Sequence, residues 1–166
     1  MTDDLARDTP ALRALQAAGI PHRIVVTRPA NSPEESAQLQ GIDLRELLRT
    51  IVVRRGQDDY VFVLVPGGRR FDWPKLRSHL GVSRLSLPDA DEAKAVTGYE
   101  RGAITPFGSN RAWPVIVDAA IRDLDRVAIG GGRRGVNVHL DPADLIAATA
   151  GEIVDVTTLE DTRPLI

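Results

Sequence analysis

Residue types able to do covalent or acid–base chemistry are sparse in this chain. Cysteine is absent, which excludes disulfides, thiolate metal sites and a cysteine nucleophile. The histidines are His22, His79 and His139; they form no HExxH motif and no pair at helical spacing, so no metal is expected. GxSxG is also missing, and Ser109 beside Gly108 lacks the pattern of a nucleophile elbow. Two glycine-rich stretches stand out instead. The stretch GYERGAITPFGSNRAWPV, from Gly98 to Val115, has neither a helical period nor strand alternation. A second glycine-rich stretch, GGGRRG from Gly130 to Gly135, lacks the Lys-Ser/Thr ending of a phosphate loop and leads into a strand pattern. It can still present backbone N–H groups and arginine forks to an anion; a hairpin that needs positive φ would account for the same glycines. Asn137 and His139 share a strand face by the period of two, so they either border a site or pack structurally.

Two kinds of element must position these stretches. Helix starts are marked by a capping residue followed by proline or by a carboxylate three positions on. Thr9-Pro10 predicts a helix closing at Gly19, Ser32-Pro33 one closing at Gly41, and Asp72-Trp73-Pro74 one closing at Gly81. Asp89 opens another that ends at Gly98, and Asp141-Pro142 one that ends at Gly151. Between them, β-branched runs predict strands at 22–27, 50–54, 60–65, 115–118, 126–130, 136–140 and 152–156. RGQDD and GGRRG join two pairs as antiparallel hairpins, while other strands are separated by helices. The expected fold is α+β, with a mixed, curved or barrel-like sheet and peripheral helices. At 166 residues and 43% apolar content the chain reads as one domain spanning 1–166, with 1–8 and 160–166 loosely held.

Net charge is −2, which gives no global field for nucleic acid. The distribution is uneven: Arg45 to Arg84 holds nine basic residues against four acidic ones. The basic residues are arginine except for Lys75 and Lys94. Trp73 and Trp113 each precede a proline and are expected to pack in core or loop, not to stack on bases. The N-terminus MTDDLARDTP is acidic and polar where a signal peptide is basic and then apolar, and no apolar run approaches a membrane span. A soluble, cytoplasmic protein is expected.

Three segments, LLRTIVVR (47–54), TGYERGAITPFG (97–108) and GGGRRGVNVHLDPADL (130–145), together resemble the YbaK / prolyl-tRNA synthetase-associated editing-domain family. In order and spacing the resemblance covers residues 10 to 156. It implies a metal-free, cofactor-free hydrolase acting on mischarged aminoacyl-tRNA, usually a tRNA(Pro) carrying alanine or cysteine, with prolyl-tRNA synthetase as a possible partner. It also implies catalytic positions at Arg49 and in the loop Gly102, Ala103, Ile104, Thr105 and Pro106. Substrate-binding positions follow at Phe107, Gly108, Gly130, Gly131, Gly132, Arg133, Asn137 and His139. On the local excess of positive charge, Arg54, Arg55, Arg69, Arg70, Lys75 and Arg77 either meet phosphates of the acceptor stem or form an ordinary solvated surface. Three positions depart from the family's usual pattern: Arg49 replaces a lysine, Gly130 a frequent serine and Asn137 a frequent aspartate. Arginine can grip a phosphate but cannot act as a general base. A non-catalytic module that binds an amino acid or aminoacyl-tRNA on the same fold is the alternative.

Overall fold

A computed structural model describes residues 8–160; residues 1–7 and 161–166, which include most of the two expected loose ends, lie outside the described residues. The first helix, α1 (Pro10–Ala17), starts where the Thr9 hydroxyl accepts from the Leu12 N–H. The same hydroxyl donates to the Gly131 carbonyl at 2.6 Å, which ties the helix start to the glycine hairpin. Helices α2 (Pro33–Gln40), α3 (Trp73–Leu80) and α4 (Ala90–Thr97) are capped by Ser32, Asp72 and Asp89 and end at left-handed Gly41, Gly81 and Gly98. Helix α5 (Pro142–Thr149) departs from expectation at its end, because the left-handed residue is Ala150. Gly151 instead serves close packing: a Cβ there would lie 2.5 Å from Val117 Cγ2.

Nine strands form three sheets among the described residues. Strand β1 (Arg23–Val26) pairs antiparallel with β7 (Val136–Leu140), which pairs antiparallel with β6 (Val127–Gly130). The second sheet has the order β2 (Leu48–Gly56), β3 (Asp59–Pro66), β5 (Val115–Asp118) and β8 (Glu152–Val154). Its β2–β3 pair is antiparallel and the other two pairs are parallel, so the expected mixed sheet and both hairpins are present. No closed barrel forms among the described residues; a single parallel bridge, Leu47 to Ala128, joins the two sheets. The strand expected at 152–156 divides in two. The Val156 N–H donates to the buried Asp118 carboxylate at 3.1 Å, and the chain turns to pair as β9 (Thr157–Leu159) with β4 (Arg69–Phe71).

Strand β3 is buried on both faces, hence its unbroken apolar run. Phe62 and Leu64 pack into one cluster with Val138, Ile129, Leu15 and Phe107, between the two larger sheets. Val61, Val63 and Val65 pack into a second cluster with Leu76 of α3 and Val156. The β2 start and the β6–β7 turn are thereby held as neighbouring rims above the first cluster.

Candidate active site

A cleft of about 640 Å³ opens between these rims, within the range of small-ligand sites. Its walls come from Arg49, Thr50 and Ile51 of β2, from Gly130, Arg134 and Asn137 around the β6–β7 turn, from Gly102 and Ile104, and from the segment Pro29–Ser36 that leads into α2. Five expected positions therefore share one space: Arg49, Gly102, Ile104, Gly130 and Asn137.

The loop that carries Gly102 is anchored from behind. Thr97 and Tyr99 are buried; the Thr97 hydroxyl donates to the Ala93 carbonyl, and the Tyr99 hydroxyl donates to the Phe107 carbonyl at 2.7 Å. Burial pushes the Tyr99 phenol up to about 12, so it stays a donor at any physiological pH. Gly108 has φ +68°, and a Cβ there would lie 2.4 Å from the Pro10 carbonyl carbon, so the loop exit presses directly on the start of α1. With both ends fixed, residues alternate in role. Ala103, Thr105 and Phe107 are buried, and the Thr105 hydroxyl accepts from the Phe107 N–H. Gly102, at φ +94°, and Ile104 face the cleft. The Ala103 N–H is held by the Glu100 carbonyl at 2.9 Å, whereas the N–H groups of Gly102 and Ile104 have no acceptor among the described residues. The hairpin approaches the same loop: a Cβ on Gly130 would lie 3.6 Å from the Ile104 carbonyl oxygen.

Other expected positions fall outside the cleft lining. His139 is buried and its Nε2 lies 2.9 Å from Gln40 Oε1. Burial, with Arg23 and Arg126 nearby, pushes its pKa below the ordinary value. Gly131 and Gly132 pack against Val136 and Tyr99, Pro106 is half-buried, and Arg133 is exposed. Asn137 lines the cleft while its amide donates to the Val25 carbonyl at 3.1 Å. Arg49 is exposed and its Nη2 donates to the Arg69 carbonyl at 2.9 Å, which fixes the direction of its guanidinium.

The basic segment divides similarly. Arg69 bonds Thr157 and lies 3.7 Å from the buried Asp118, and Lys75 bonds Asp155 at 2.9 Å. Arg55 pairs with Asp59, and Arg54 lies 3.6 Å from Glu92. Arg54, Arg55 and Arg77 meet Arg84 around a separate hollow at the far end of β2, and neither Arg77 nor Arg84 has a polar partner among the described residues. Arg70 is exposed and lines none of these hollows.

Sequence reasoning missed Arg134, Thr50, Ile51 and the 29–36 segment as cleft residues. The turn residues RPANSP were the available signal, since a capped helix start beside a strand exit places backbone at a sheet edge. The cleft lining contains no carboxylate, histidine or lysine, and no group of three His, Asp or Glu is placed to hold a metal ion among the described residues. No helix among those residues is long and apolar enough to cross a membrane.

The fold and the cleft define a class: a small α+β protein whose main cleft is lined by glycine-rich main chain and guanidinium groups. Residues 27–148 match the aminoacyl-tRNA editing domain family, and the chain belongs to that family. It is 24% identical over 155 residues to EbsC of Enterococcus faecalis, named as a candidate Cys-tRNA(Pro)/Cys-tRNA(Cys) deacylase, covering 92% of this chain and 94% of that one. It is 25% identical over 145 residues to the multifunctional Ser/Thr-tRNA deacylase ProXp-y of Escherichia coli, covering 85% and 87%. A crystal structure of a candidate trans-editing enzyme for prolyl-tRNA synthetase matches with a TM-score of 0.84 at 23% identity, over 92% of this chain and 96% of that one. That last likeness is one of fold.

Proposed function

We propose that this chain is a hydrolase that removes a small wrong amino acid, alanine or cysteine, from mischarged tRNA(Pro). Its partner is the charged tRNA, its place of action the cytoplasm, and prolyl-tRNA synthetase the source of the errors it clears. The observation that carries this reading is that Gly102 and Ile104, whose N–H groups have no acceptor among the described residues, line one cleft with Arg49 and Arg134. Aimed at the ester carbonyl oxygen, they stabilise the negative charge that develops as water adds to the carbonyl carbon, by about 3 kcal/mol per donor. The ester C–O bond then breaks, the ribose oxygen takes a proton, and the free amino acid and the tRNA leave. With no carboxylate, histidine or lysine in the lining to act as a general base, the water's proton passes to the leaving ribose oxygen with help from the neighbouring ribose hydroxyl. Orientation and preorganised dipoles supply the rate. Arg49, always charged, acts as an anchor and not as a base.

The absence of a base also favours a second reading, in which the domain binds charged tRNA without cleaving it. Incubation with Ala-, Cys- and Pro-charged tRNA(Pro) separates the two. Loss of the Ala or Cys ester well above the buffer rate, with Pro-tRNA(Pro) spared, supports the hydrolase. Tight binding of a charged tRNA that then survives for hours supports the binding module.

A further inference from the structure

The β6–β7 turn carries two adjacent arginines, and Arg134 is the one that lines the cleft. Its guanidinium rests against the catalytic loop: a Cβ built on Gly102 would lie 3.2 Å from Arg134 Nε and 3.3 Å from Nη2. Gly102 therefore serves two needs, its φ of +94° and room for a planar cation beside its peptide. Arg134 is exposed and forms no hydrogen bond or ion pair among the described residues. Other arginines near the cleft are engaged, Arg49 with the Arg69 carbonyl and Arg28 with Glu35 at 3.1 Å. No carboxylate lines the cleft and Arg134 has no ion-pair partner among the described residues, an arrangement that favours an anion.

We propose that Arg134 forms a phosphate subsite of the cleft that grips the 5′-phosphodiester of the terminal nucleotide of the substrate RNA. The inference rests on the deacylase reading. If the Gly102 N–H faces the ester, the anion covalently nearest to that ester is the phosphate on the other side of the same ribose. The guanidinium beside Gly102 is the group placed to meet it, through two parallel N–H···O bonds. Arg134 is then a positioning residue: phosphate at one end and carbonyl at the other fix the sugar between them, which sets the approach of water.

The test measures binding without hydrolysis. Titrations of the wild-type protein, Arg134→Ala and Arg134→Lys use 5′-AMP, adenosine and inorganic phosphate as probes. The subsite requires that wild type bind 5′-AMP at least about tenfold more tightly than adenosine, and more tightly than inorganic phosphate. Arg134→Ala should erase the preference over adenosine, and Arg134→Lys should keep part of it. Equal binding of 5′-AMP and adenosine by wild type overturns the proposal, as does a preference that survives in Arg134→Ala. Equal binding of 5′-AMP and inorganic phosphate also overturns it, by reducing the site to a general anion hole. On charged tRNA, Arg134→Ala should raise KM about tenfold with kcat changed less than about threefold; a fall in kcat at constant KM would put the guanidinium at the ester instead. A wild-type protein that prefers 5′-AMP through Arg134 yet hydrolyses no ester leaves the subsite standing and removes the deacylase.

Discussion

In the proposed mechanism Gly102 is the residue most sensitive to substitution. Its φ of +94° is costly for any side chain, and a Cβ would also press on Arg134. Substitution would move the peptide group that the proposed mechanism directs at the ester, and displacement by a fraction of an ångström removes most of a preorganised stabilisation. Gly102→Ala is predicted to slow single-turnover deacylation by at least about 10²-fold while leaving cooperative unfolding in place, because the residue is exposed and outside the core. Unchanged turnover would detach the loop from the chemistry. His139 supplies a prediction of another kind. Its folded-state pKa is depressed, chiefly by burial and then by Arg23 and Arg126, against a smaller opposing effect of Glu46. The unfolded chain therefore binds the proton first as pH falls. The stability held by neutral His139 is complete above about pH 6.5 and is lost as pH falls toward the folded-state value. Urea midpoints should fall between pH 7.5 and 5.5, and His139→Gln should flatten that slope; an identical slope in the variant would assign the acid sensitivity elsewhere.

Among the elements, α2 shows how a structural cap serves the cleft. The Ser32 hydroxyl accepts from the Glu35 N–H, the Glu35 carboxylate accepts from the Asn31 N–H, and Pro29 to Ser36 forms one wall. Ser32→Ala should cost about 1 kcal/mol in unfolding free energy and raise KM more than it lowers kcat; a change in stability with unaltered kinetics would make that wall a bystander. Helices were legible in the sequence because each carries its own start and stop, as Ser32-Pro33 and Gly41 do for α2. Strands β4 and β9 were not: each has three residues, and their pairing joins Arg69 to Leu159 across the chain, a contact that no local pattern records. Arg133 and Arg134 could not be told apart, since left-handed Gly132 and Gly135 flank them and break the alternation that would assign faces. Likewise GAITP was legible as a loop, but which of its N–H groups is held by Glu100 depends on the fold of that loop.

Across the whole molecule, clustering of arginine in sequence does not produce a uniform basic face. Arg69 is partly buried against Thr157 and Asp118, and Asp118 also accepts from the Ala120 and Val156 N–H groups. Arg69→Ala is therefore expected to lower stability and leave the salt dependence of tRNA binding unchanged, whereas Arg77→Ala or Arg84→Ala should reduce the salt slope by about one unit each with little change in stability. The opposite pattern would move the RNA path to the β4 edge.

The joint between the two larger sheets has a consequence for selectivity. Gly130 and Asn137 belong to one hydrogen-bonded plate and Arg49 to Ile51 to the other; among the described residues one isolated backbone bridge, Leu47–Ala128, links the plates, and a shared apolar cluster fills the space between them. The separation of the two walls is therefore set by the side chains packed between the plates, Phe62, Leu64, Ile129 and Val138 among them, and not by either ladder. On the proposed deacylase reading, a smaller residue at Ile129 should change the bulk that the mouth accepts, although Ile129 lies outside the lining.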